Sequence, residues 1–446
     1  MKYRTWPWIV LSVCMLFHGI SRGGQLDRQH PFPFSTFELK NGLTVILAQD
    51  GTLPVVTIAV AYKVGSMHED LDKAGLAYFL ENLMFEGSRN VSRMQHVRFI
   101  QSIGGRLNAV TERDRTIFYQ TVPSHHLTSI LWLESDRMTS LSINQANVDF
   151  WKSTLKSGLK MRSGQDPYQN GSRIFDALLY PDYAINHPPQ GTSADLDSIT
   201  VADVRDFYQT YYRPNNAVLC IVGNIDLNRT DELVRKYFQG LPRGPDVPPA
   251  PTARDSDFEI TDVTETVDSL SASAPGFFLG YRIPKARSDD FYALTLIEYI
   301  LMRGNSSRLY QRLIKREERL ASQLSGGIDI RHDQAAFLFI VFSSNELKKE
   351  RCQKEISSEI NKLKSSLVSE KELLKAKNVF KRDYVNRYAT SADKTLFLTN
   401  AFLSGIPWIE LSSELDRYLS VTAPRIMYTM GRYFEQDRVL VNIKTR

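Results

Sequence analysis

Prolines at positions 242, 245, 248, 249 and 251 directly follow Leu241, and this cluster constrains the fold more than any other feature of the chain. Each proline fixes its own φ and lacks a backbone donor, so neither a helix interior nor a central strand can run through the segment. The stretch reads as an extended linker. Without its first two dozen residues, the chain is divided by this linker into two similar lengths. With 446 residues, 42% hydrophobic and 24% charged, it can bury more than one core, which excludes a disordered or fibrous protein.

The two lengths also look like each other. In the first, residues 55–66 read as a strand and turn, followed by Glu69-Asp70, a helix through Met84, and Gly87-Ser88-Arg89. In the second, residues 277–286 read as a strand, followed by Asp289-Asp290, an apolar helix from Tyr292 to Leu301, and residues 304–308. Their ends rhyme as well: Asp197-Ser198-Ile199-Thr200, then Tyr212 and Val218-Leu219, against Leu419-Ser420-Val421-Thr422, then Tyr433 and Val439-Leu440. Strands alternating with helices in each half predict a duplicated α+β (mixed α/β) domain, with helices on one face of a mixed sheet and the copies facing each other across a cleft. The expected boundaries are a leader over 1–24, a first domain over 32–241, a linker over 242–257 and a second domain over 258–446.

Residues 75–87 carry the chemistry to be weighed. Leu76, Leu80, Leu83 and Met84 recur at helical spacing and form one buried face. Asp70 or Asp72 can cap the start, and Gly87 can close the end in a left-handed conformation. Tyr78 and Asn82 then lie one turn apart with Glu81 beside them, a geometry that presents two side chains to one ion. A phenol and a neutral carboxamide are poor zinc ligands, because zinc takes imidazole, thiolate or carboxylate.

On these residues the chain resembles the pitrilysin, insulinase and mitochondrial-processing-peptidase family, whose inverted H-x-x-E-H motif lies in a helix after a Gly-Ser turn and an acidic residue. The matching stretch is Gly65-Ser66-Met67-His68-Glu69-Asp70, then Ala74-Gly75-Leu76-Ala77, then Tyr78-Phe79-Leu80-Glu81-Asn82. Tyr78 and Asn82 stand at the histidine positions, while the general-base position keeps Glu81. Aligning the family's later glutamate ligand on Asp166-Pro167 places Gly158 there, and no residue from 150 to 165 carries a carboxylate. The resemblance therefore implies the LuxS and processing-peptidase metallopeptidase fold with all three zinc ligands replaced, and no cofactor of its own. Zinc is expected only in a partner subunit.

Further motifs carry the resemblance over most of the chain. Residues 104–111, ending in Asn108-Ala109-Val110-Thr111, match the strand that borders the family's cleft. Residues 212–226 match its late strand and turn, and Ser307-Arg308-Leu309-Tyr310 its second-half signature. In relatives an arginine and a tyrosine of the second half hold the peptide; those positions fall here on Lys315 or Arg316 and on Ser322. A strand edge carrying Asn108, Ala109 and Thr111 can still pair with an extended peptide through its backbone, without zinc. The plainer reading of Asn108 and Thr111 is that they end a sheet edge.

The first residues read as an export signal. Lys2 and Arg4 precede an apolar run from Trp6 to Phe17, and Gly19, Ser21, Gly23 and Gly24 offer cleavage points. The run is too short to span a bilayer comfortably. Val13 argues against lipidation of Cys14, and the absence of an arginine-studded amphipathic pattern argues against a mitochondrial presequence. Removing residues 1–24 deletes Lys2, Arg4 and Arg22 and no acid, leaving 52 basic against 50 acidic residues. The basic balance thus gives no case for nucleic acid. Cys220 in an apolar strand and Cys352 in a charged helix read as unpaired structural cysteines. His125 and His126, being adjacent, are expected to point apart, and His68 stands in a turn, so no histidine cluster replaces the lost site.

The sequence therefore predicts an exported, periplasmic, catalytically inactive homologue that serves as the non-catalytic subunit beside an active zinc peptidase. A stand-alone peptide-binding or scaffolding protein and a divergent metalloendopeptidase are the other readings. No nucleic acid and no membrane span after removal of the leader are expected.

Overall fold

The computed structural model describes residues 25–27, 32–165, 168–249, 263–269, 272–435 and 438–445. The leader over 1–24 and the linker beyond 249 lie outside the described residues, as does the Asp166-Pro167 step.

The described strands form two sheets. The first contains β1 (Gln25–Asp27), β2 (Phe34–Glu38), β3 (Thr44–Gln49), β4 (Val55–Tyr62), β5 (Arg106–Thr111), β6 (Thr116–Pro123) and β7 (Ala217–Gly223), in the order β1-β2-β3-β7-β4-β6-β5. The second contains β8 (Val263–Ser269), β9 (Gly276–Ile283), β10 (Ala321–Arg331), β11 (Gln334–Ser343) and β12 (Arg438–Thr445), in the order β10-β11-β9-β12-β8.

The duplication read from the sequence is present in β3–β7 and β8–β12, with β1 and β2 extending the first sheet beyond it. β3 runs parallel to β7 with Val45 opposite Leu219, as β8 runs parallel to β12 with Val263 opposite Val439. β4 is antiparallel to β7 and β6, as β9 is to β12 and β11. Each sheet ends on the corresponding open edge, β5 in one and β10 in the other.

The helices of the first half are α1 (Leu76–Leu83), α2 (Gln95–Ser102), α3 (Leu127–Ser140), α4 (Gln145–Gln165), α5 (Gln169–Leu179), α6 (Tyr183–Asn186), α7 (Ser193–Ser198), α8 (Val201–Tyr211) and α9 (Leu227–Phe238). Those of the second are α10 (Asp289–Leu301), α11 (Glu346–Ser365), α12 (Glu370–Asn386), α13 (Ser391–Leu403), α14 (Trp408–Leu419) and α15 (Ala423–Tyr433). Leu76, Leu80, Leu83 and Met84 are buried as their spacing predicts, packed with Val60, Phe118 and Leu219.

Helices cover both faces of each sheet, where the sequence predicted one. The second face of the first sheet packs on α13: Leu398 is buried among Ala59, Ile117, Val218 and Cys220. The second face of the second sheet packs on α5, whose Phe175 and Leu179 meet Phe278, Val439 and Val441. Each half thus lends one helix to the other. Burial on both faces explains why β7 is apolar without alternation, every residue from Ala217 to Gly223 being buried.

Candidate functional site

The Gly-Ser turn owes its glycine to a close backbone approach. Ser66 and Met67 donate their amides to the Glu112 and Arg113 carbonyls at 3.1 and 2.8 Å, which docks the turn on the tip of the β5–β6 hairpin. A Cβ on Gly65 would lie 2.1 Å from the Glu112 oxygen, so only glycine fits there.

The start of α1 differs from the sequence expectation. Neither Asp70 nor Asp72 caps it; the Glu69 carboxylate accepts the Gly75 amide at 2.6 Å and the Ala77 amide at 2.7 Å. Gly75 holds the N-cap position with φ +94, a conformation that favours glycine. Gly87 does adopt positive φ, +106, but beyond the C-cap residue Met84 rather than at the helix end.

Glu69 has a second partner that sequence reasoning missed. His187 Nε2 lies 3.3 Å from Glu69 Oε2, while His187 Nδ1 lies 2.6 Å from the Tyr183 carbonyl oxygen. Against an ionised Glu69 the ring satisfies both acceptors as imidazolium; burial lowers the His187 pKa but the Glu69 hydrogen bond outweighs it, while burial raises the pKa of Glu69 itself. The Glu69 position in the acidic turn was the only sequence signal, and nothing near it pointed 118 residues ahead.

Tyr78, Glu81 and Asn82 are half-buried on α1. The Asn82 side-chain amide donates 2.7 Å to the Tyr78 carbonyl, one turn back on the helix. Glu81 reaches the edge strand: Thr111 Oγ1 donates to Glu81 Oε2 at 2.5 Å, and the Thr111 backbone also favours the ionised carboxylate. Burial raises the Glu81 pKa against the lowering effect of those two bonds.

Gly158 lies on α4, which packs on α1, and a Cβ built there would meet nothing within 4 Å. The residues present do not fit zinc. Gly158 offers no donor, the Asn82 amide nitrogen is spent on backbone, and among the described residues no group of three or more His, Cys, Asp or Glu could hold a metal ion. His125 and His126 do not point apart as expected: in a 3-10 turn their ring centroids are 4.1 Å apart, with His126 edge-on to Phe99.

On β5 the three cleft-strand residues divide between two faces. Ala109 packs against the core beneath α1 and Thr111 meets Glu81, whereas Asn108 bonds Tyr119 on the other face at 3.1 Å. The backbone adds a second division. Glu112 donates to the Arg115 carbonyl at 2.8 Å across the two-residue turn, so by antiparallel alternation Val110 and Asn108 bond β6. The amides and carbonyls of Leu107, Ala109 and Thr111 are turned to the open edge.

Two of the second-half positions make contacts within the chain. Ser322 Oγ donates to the Phe342 carbonyl at 3.0 Å, and Arg316 pairs with Glu355 at 3.1 Å. Lys315 is exposed. Arg308 forks onto both Glu372 oxygens at 2.8 and 2.7 Å, tying its loop to α12. Cys220 and Cys352 are buried free thiols.

Two family models match the chain: insulinase (peptidase family M16) over residues 44–164 and the peptidase M16 inactive domain over 198–380. A zinc protease PqqE of Helicobacter pylori is 28% identical over 377 residues, 84% of either chain. The crystal structure of a protease from Helicobacter pylori superposes with a TM-score of 0.86 at 26% identity, covering 93% of this chain and all of that one. The periplasmic protease PqqL from Escherichia coli shares the fold with a TM-score of 0.76 at 19% identity, over 95% of this chain and 48% of that one. The duplicated two-sheet fold, the Gly-Ser turn, the helix that keeps Glu81 and these matches together make the chain a member of the M16 (insulinase) family of peptidases.

Proposed function

We propose that the chain is a zinc-free M16 homologue that acts as the non-catalytic subunit beside an active zinc-peptidase homologue, with its own first half holding extended peptide. The observation that carries this reading is the replacement of three ligand positions by Tyr78, Asn82 and Gly158 in a scaffold that keeps its open β5 edge. Glu81 could not act as a metal-assisted general base, because no activated water would stand beside it. Zinc and cleavage are assigned to the partner.

A stand-alone peptide-binding role draws on the same edge, whose outward amides and carbonyls suit β-augmentation. Export to the periplasm is part of the proposal; it rests on the leader pattern and on the periplasmic description of the PqqL neighbour. Among the described residues no helix is long and apolar enough to cross a membrane. The halves 32–241 and 258–446 are taken as two units that share helices α5 and α13.

Metal analysis of the purified chain, with native mass determination of complexes drawn from its own cell, tests the assignment. The expected result is less than about 0.1 zinc per chain and co-purification of an H-x-x-E-H homologue, since the site lacks the three ligands zinc needs. Stoichiometric zinc with peptide cleavage by the isolated chain would overturn it.

A further inference from the structure

Fully buried carboxylates in this protein are matched to cations almost throughout. Asp50 pairs with Lys394, Glu86 with Arg93, Glu134 with Arg137, Asp290 with Arg425 and Arg432, Glu298 with Arg303, and Glu359 with Arg308, Arg312 and Lys362. Glu414 instead takes the Tyr384 hydroxyl. Glu81 is half-buried and likewise has no cation among the described residues: the group acting on it is Thr111, through its hydroxyl and backbone. Such a carboxylate carries a desolvation cost that a charge partner would offset.

Its position says where that partner would come from. Glu81 holds the hydroxyl of Thr111, the last residue of β5, and so marks one end of the open edge formed by Leu107 and Ala109. A metal ion is a poor candidate, because among the described residues no group of three or more His, Cys, Asp or Glu could hold one. An ammonium group needs only acceptors, and a peptide lying along β5 brings one at its first residue.

We propose that Glu81 binds the α-ammonium group of an extended peptide that pairs antiparallel with β5, its first residue beside Thr111 and its chain running back past Ala109 towards Leu107. The direction follows from charge, since a carboxylate attracts the amino end and repels the carboxyl end. This assignment rests on the reading of β5 as a peptide-pairing edge, and it restricts that edge to chains with a free amino terminus.

The test uses the full chain and a pool of synthetic decapeptides randomised over Ala, Val, Leu, Ser, Thr and Gln, labelled at the carboxyl end and made with either a free or an acetylated amino end. Binding is read by fluorescence anisotropy, and pairing by hydrogen exchange over residues 106–111. The free-amine pool is expected to bind about tenfold more tightly than the acetylated pool, the size of one partly buried charge pair, and to slow exchange along β5. In Glu81→Gln the two pools should bind alike. Equal affinity in the wild type with slowed exchange overturns the ammonium site and leaves peptide pairing intact. A free-amine preference that survives Glu81→Gln also overturns it. Unchanged exchange, or no binding of either pool, overturns both readings.

Discussion

Thr111 Oγ1 donates a 2.5 Å hydrogen bond to Glu81 Oε2, joining helix α1 to the open edge of the first sheet. The folded environment disfavours ionised Glu81, and its pKa lies above the usual carboxylate value. A raised folded pKa contributes stability that is complete below the unfolded value and is lost as pH rises through the folded value. At pH 7 the carboxylate is thus held at a cost. Glu81→Gln should leave the fold as stable or raise Tm by about 2–4 °C at pH 7, with the difference gone near pH 4. Thermal unfolding at the two pH values checks this, and a lower Tm for the variant at pH 7 would mark Glu81 as a structural residue.

His187 is predicted to act as a proton-dependent clamp on the start of α1. Its ring lies between the Glu69 carboxylate and the Tyr183 carbonyl, with Tyr183 stacked on it at 4.8 Å. Because the folded pKa is raised, the stabilisation is full below about pH 6.5 and is lost as pH rises through the folded value. Denaturant midpoints should therefore fall in the wild type as pH rises above about 6.5. His187→Ala should cost about 3 kcal/mol at pH 6, leaving Glu69 buried without its partner, and should flatten that decline. An equal alkaline decline in the variant would assign the effect to other groups.

Much of this was legible in the sequence because it is local. The spacing of Leu76, Leu80, Leu83 and Met84 specifies a helix face, and the matching patterns of the two halves specify matching strand orders. Tyr78, Asn82 and Gly158 are read directly as residue identities. What stayed hidden depends on long-range packing. Asp70 and Asp72 were plausible caps by position, yet Glu69 takes the Gly75 and Ala77 amides and meets His187, a partner far along the chain. Asn108 and Thr111 are three residues apart, and only the pleat places them on opposite faces. The exchange of α5 and α13 left no local trace, since an apolar helix stripe does not say which sheet it will cover.

That exchange makes its own prediction. Without 258–446 the first sheet loses α13 from Ala59 and Cys220, and without 32–241 the second loses α5 from Phe278 and Val441. Residues 32–241 and 258–446 expressed separately should be aggregation-prone, with exposed apolar sheet faces that bind hydrophobic dye. Co-expressed, the fragments should assemble into a stoichiometric soluble complex, read by size-exclusion chromatography and dye binding. Two fragments that each unfold cooperatively alone would show that the exchanged helices contribute little.

The zinc site should be recoverable by substitution, because what has gone is ligand chemistry and the scaffold remains. Tyr78 and Asn82 keep the one-turn spacing that two imidazoles need, and a Cβ at Gly158 would enter open space on the helix packed against α1. Tyr78→His, Asn82→His and Gly158→Glu combined are expected to give one tightly held zinc per chain after dialysis, whereas each substitution alone supplies too few ligands to retain it. Gly158→Glu also replaces a mid-helix glycine, which favours the helix by about 0.5–1 kcal/mol and offsets part of the charge it introduces. Metal analysis and the zinc dependence of Tm read the result. A folded triple variant with no more zinc than the wild type would show that α1 and α4 have also lost the geometry the ligands require.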